Sequence, residues 1–94
     1  SDPRAEDKKI LVDELIEVED LTNDQAECAV NALSDNMSDN SWKGMMIEVS
    51  GSDEEYDAWE ESLTEEDEEK LLKEFNSGVA VALECDGIPS GTFR

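Results

Sequence analysis

The stretch that most constrains this chain runs from Asp53 to Glu69, where eleven of seventeen residues carry a carboxylate: Asp53, Glu54, Glu55, Asp57, Glu60, Glu61, Glu65, Glu66, Asp67, Glu68 and Glu69. An ionised carboxylate is not buried without a partner, so any fold must keep this block at its surface and reach inward only through the apolar residues between the acids. Tyr56, Trp59 and Leu63 fall at i, i+3 and i+7, which is one face of a helix. The block is therefore expected to be helical, with this seam in the core and the acids on the remaining faces.

Helix starts are marked locally. Ser52 is followed three residues later by Glu55, and Thr64 by Asp67, so each hydroxyl is placed to cap a helix and the block reads as two helices joined near Leu63. Glu65 to Asp67 then lie in a first turn, where the helix dipole favours negative charge. Downstream, Leu72, Phe75, Val79 and either Ala82 or Leu83 continue a stripe of period 3.6 towards Gly87 and Pro89, a stop signal. The competing reading ends the helix at Asn76-Ser77-Gly78 and makes Val79 to Cys85 a strand, since glycine costs a helix interior up to about 1 kcal/mol against alanine. The alternating alanines favour the continuous, tightly packed helix.

Upstream, Asp2-Pro3 resembles a cap followed by proline at the first helical position. It predicts a helix from Pro3 to Glu19 with Leu11, Leu15 and Val18 as its seam, widened by Ile10, Val12 and Ile16. Thr22 and Gln25 open a second helix whose inner face, Ala26, Ala29, Val30 and Leu33, is small enough to pack closely on the first. Ser34 to Ser41 has the composition of a loop. Trp42 to Val49 fits either a short helix capped by Ser41 or a strand. The fold class is thus mainly α, a small bundle of four or five helices with an acidic surface. The alternative is α+β, with a two-stranded sheet from Met45 to Val49 and Val79 to Leu83. One domain is expected over residues 1–94, frayed at its N-terminus and irregular from 88 to 94, with Ile88 and Phe93 folded back onto the core.

Seven basic residues against twenty-seven acidic ones give a formal charge of -20, which repels nucleic acid and anionic membranes alike. Neither is expected as a direct partner. The absence of histidine removes the commonest general base and imidazole ligand. Cys28 and Cys85 stand 57 positions apart without a CxxC pair, so no zinc ligand set exists. The windows starting at Asp35 and Asp53 fail as calcium loops, with Met37 and Glu55 at the third position and no glycine at the sixth. Phosphate-cradling glycine motifs are absent. The expectation is a protein that is not an enzyme, with no catalytic residue, metal or cofactor. Cys28 and Cys85 could pair, but each lies among alanines and valines, and the favoured reading is a buried free thiol, consistent with a cytoplasmic setting. No apolar run has the length of a membrane span, and no basic-then-apolar leader opens the sequence.

One segment, LTEEDEEKLLKEFNSG from Leu63 to Gly78, resembles the last helix of the small phage anti-sigma factors that clamp the sigma subunit of RNA polymerase. The resemblance covers about sixteen residues, and no family is claimed from it. It implies an all-helical fold and a basic helical target.

Two functions follow. In the first, the eleven carboxylates bind and inhibit a basic partner, most naturally a nucleic-acid-binding protein, by DNA mimicry or charge complementarity of the phage antihost, antitoxin or immunity type. Duplex DNA offers one charge per roughly 1.7 Å of axis, a density this block approaches. In the second, a regulatory adaptor docks through Trp42, Met45, Met46 and Trp59. A halophile-type acidic surface is the bland alternative, and the sequence leaves the oligomeric state, including a homodimer, open.

Overall fold

The computed structural model describes residues 2–89, 91 and 92. It contains five helices, α1 (Ala5–Glu19), α2 (Asn23–Asn36), α3 (Asp39–Ser50), α4 (Asp53–Glu61) and α5 (Glu65–Ala82). There is no strand among the described residues. The mainly α expectation therefore holds and the two-stranded alternative falls, because 45–49 and 79–82 are both helical. No helix among the described residues is long and apolar enough to cross a membrane.

The capping signals at Thr22, Ser52 and Thr64 are all in use. Each side chain accepts a hydrogen bond from the backbone N–H three residues on, and the side-chain oxygens of Gln25, Glu55 and Asp67 in turn accept one from the backbone N–H of the cap. Three boundaries differ from the sequence reading. First, α1 begins at Ala5 rather than Pro3, because the Asp2 carboxylate accepts from the Arg4 N–H at 2.9 Å and its carbonyl from Ala5 at 3.1 Å, closing a separate turn. Second, the expected loop at Ser34 to Ser41 shrinks to Met37 and Ser38. Helix α2 runs on to Asn36, and Ser38, not Ser41, caps α3. Third, α5 stops at Ala82, and turns carry the chain through Gly87.

Helix α2 is central. It buries Ala26, Ala29, Val30, Ala32 and Leu33, packs on α1 as its small face predicted, and lies most extensively against α5. That second contact explains Gly78. A Cβ there would stand 3.0 Å from Leu33 Cδ2 and 3.2 Å from Leu33 Cα, so the residue that argued for a strand is where two helix backbones meet. Ala29 and Ala82 are fully buried beside it. The larger core cluster is Leu11, Val30, Leu33, Met37, Trp42 and Met46, with Phe75 and Val79 packed against it. Leu72, expected in the same stripe, is instead 59% exposed.

The cysteines require a correction. Cys28 and Cys85 are not free buried thiols: they form a disulfide, Cα atoms 6.1 Å apart, that ties α2 to the turn after α5, and Cys28 is exposed. Its alanine neighbours misled because Ala26 and Ala29, two residues before it and one after, lie on other faces of the helix. The Gln25 side chain reinforces the tie by donating to the Asp86 carbonyl at 3.1 Å. Ile88 packs against the alanine cluster, while Phe93 lies outside the described residues.

Candidate partner-binding surface

Helix α4 and the first five residues of α5 carry all eleven predicted site residues, six on the former and five on the latter. Ten are exposed and Asp67 is half-buried. Two are used locally. The Glu55 carboxylate accepts from the Ser52 N–H at 3.4 Å, and Asp67 from the Thr64 N–H at 3.2 Å. The ion pairs among the described residues, Arg4–Asp39, Lys8–Asp2 and Lys70–Glu74, involve none of the eleven.

The acidic helix is fastened lightly. No residue of α4 is buried, and Tyr56, Trp59 and Leu63 are half-buried, so the predicted seam is a contact with the flank of α3 rather than a core anchor. Trp59 lies flat enough on α3 that a Cβ at Gly44 would overlap its six-membered ring. Tyr56 stacks at a tilt of 49° with its centroid 6.0 Å from that of Trp59. Burial, and then the charges of Glu60, Glu48 and Asp57, push the Tyr56 phenol above its ordinary value. The Trp59 indole N–H is buried without a hydrogen-bond partner.

Between α3, α4 and α5 opens a cavity of about 380 Å³, walled by Met37, Met45, Tyr56, Trp59, Leu71 and Phe75, with Glu48 as its one charged lining group among the described residues. Of the four residues predicted for apolar docking, Trp42 and Met46 are unavailable, at 3% and 7% exposure. Met45 and Trp59 reach the cavity wall. Among the described residues, no three acidic or cysteine side chains are grouped to hold a metal ion.

Two residues that the sequence reading passed over tie the N-terminal turn and α5 to the junction of α2 and α3. Arg4 reaches across to the end of α2, donating to the Ser34 carbonyl at 2.8 Å, the Met37 carbonyl at 3.0 Å and Asp39 at 2.8 Å. Its guanidinium lies 5.0 Å from the Trp42 ring centroid, a cation–π distance, and the Trp42 indole donates to Asp7 at 3.0 Å. No local signal marked Arg4: none of the five helices has a basic residue in its last turn, so the need of α2 for outside donors does not stand out. Glu74 is the second. Its carboxylate accepts the Ser38 N–H at 2.5 Å, and this bond, opposed by burial and aided by the Ser38 and Ser41 hydroxyls, holds it below the usual carboxylate value.

Set against known proteins, the chain matches no family model, no curated protein and no solved structure.

Proposed function

We propose that this protein is a non-enzymatic inhibitor that binds a basic partner through α4 and the start of α5, with a nucleic-acid-binding protein as the target and competition with nucleic acid as the mechanism. The observation that carries the reading is that eleven carboxylates stand at one flank and none is paired with a basic residue among the described ones. Along their own axes α4 rises about 13.5 Å and the first five residues of α5 about 7.5 Å, at 1.5 Å per residue, so each helix carries one charge per roughly 1.5–2.3 Å of its length, near the spacing of duplex DNA. A dense array of like charges is complementary to lysines and arginines and speeds their encounter.

The compartment belongs to the same proposal. The cytoplasmic expectation rested on free thiols, and with Cys28 and Cys85 joined that ground is gone. Disulfides persist in oxidising compartments, which favours a basic partner met outside a reducing cytoplasm.

The test replaces Glu60, Glu61, Glu65 and Glu66 by glutamine and compares the two proteins in capture from a lysate at low and high salt. Proteins retained at low salt, displaced by duplex DNA and lost with the variant would bear the reading out. Retention indifferent to DNA and to the four substitutions would sink it, and a need for molar salt to fold would point to a halophile surface instead.

A further inference from the structure

Building on that reading, we propose that the cavity between α3, α4 and α5 is the anchor site of the acidic surface, and that its occupant is a segment of the basic partner presenting one bulky apolar side chain between lysines or arginines. The cavity, about 380 Å³ in volume, lies at the small end of the roughly 300–1,000 Å³ range of ligand sites. That suits a single inserted side chain. Aromatic and methionine walls favour an apolar anchor of adaptable shape. Leu72 lines the cavity while remaining 59% exposed, so a large apolar group stands in water there. The Trp59 N–H is buried and has no acceptor among the described residues, so its signal reports any movement of that wall.

Charge selects among occupants. Among the described residues Glu48 is the one carboxylate lining the cavity and no lysine or arginine lines it, and Glu60 and Asp57 act on the Tyr56 phenol in its wall. An anionic ligand meets repulsion there, and a second copy of this chain would bring a further formal charge of -20. Flanking cations are complementary instead. Because α4 buries no residue of its own, that wall can adjust to an inserted side chain without disturbing the α2 core.

Three synthetic peptides test this on the full chain: a lysine-flanked one with a central leucine, the same with a central alanine, and a glutamate-flanked one with a central leucine. Binding is followed through the two indole N–H signals in the NMR spectrum. The lysine–leucine peptide should bind at least about tenfold tighter than its alanine counterpart, given the area a leucine buries, and should move the Trp59 signal but not that of Trp42. Leu72→Gln changes neither the charge nor a buried contact, and should bring the two affinities to within about twofold of each other. Equal, salt-sensitive affinities for both lysine peptides in the wild type would overturn the anchor site while leaving the charge reading standing. Glutamate flanks binding as well as lysine flanks would overturn the basic occupant and the charge reading together. Sedimentation showing a dimer that Leu72→Gln dissociates would give the cavity to a second copy and overturn the proposal.

Discussion

Around α2 the chain packs alanine and glycine until helix backbones meet, whereas α4 buries no residue of its own. The two tryptophans show the contrast in single side chains. Trp42 is 3% exposed, bonded through its N–H to Asp7 and covered by Arg4, while Trp59 is half-buried on Gly44 with its N–H unpartnered. Dense negative charge and deep packing exclude one another, because carboxylates must stay hydrated. Helix α5 carries both, acids in its first turns and Gly78 and Ala82 in its last. The fold is thus anchored at one end of the molecule and the charge displayed at the other, so the display can be altered with little cost to folding.

The sharpest way to break this comparison is to truncate both tryptophans. Trp42→Ala should cost about 4 kcal/mol, as aromatic deletions in cores do, and should lower the denaturation midpoint of the whole chain. Trp59→Ala should cost less, about 2–3 kcal/mol, because part of its ring already stands in water. Equal losses in chemical denaturation would show that α4 belongs to the core after all.

Next in size is the tie between α2 and the turn after α5. Replacing Cys28 and Cys85 together by alanine should lose about 3 kcal/mol, the middle of the usual range for a disulfide, and reducing the wild type should reproduce the loss. Thiol alkylation followed by mass measurement on the unreduced protein checks the bond directly. A smaller effect is expected from Gly44→Ala. The added methyl displaces the Trp59 ring, offset in part by a helix-propensity gain of up to about 1 kcal/mol. Hydrogen exchange should quicken in α4 and stay unchanged in α2, and faster exchange in both would erase the distinction between the two regions.

What the sequence revealed follows the range of the interactions involved. The caps at Thr22, Ser52 and Thr64 were readable because cap and partner lie three residues apart, and the class of fold followed from them together with the apolar periodicities. The seam of Tyr56, Trp59 and Leu63 was readable as a face but not as a depth, since nothing local says that Gly44 lies opposite. Gly78 could be read two ways until Leu33 was placed against it. The Cys28–Cys85 bond and the reach of Arg4 to Ser34 and Met37 join residues 57, 30 and 33 positions apart, and no spacing rule covers those. The acids of the candidate surface were legible one by one. The cavity beside them was not, because three helices build it.

The smallest expected effect concerns Glu74, where α5 meets the start of α3. Its carboxylate accepts the Ser38 N–H at the helix cap, and that bond holds its folded-state pKa below the ordinary 4.5. A carboxyl depressed on folding contributes stability that is present above its unfolded value and lost as pH falls through the folded one. Glu74→Gln keeps the shape and removes the charge, so it should cost about 1 kcal/mol at neutral pH, the scale of a charge-assisted bond reduced to a neutral one. The gap between wild type and variant should then close as the solution is acidified below 4.5, because the wild-type carboxyl becomes neutral as well. Thermal melts of both proteins across that range decide the matter. A gap that persists at the acid end would mean that Glu74 acts by packing, and that the capped start of α3 is held to α5 without help from its charge.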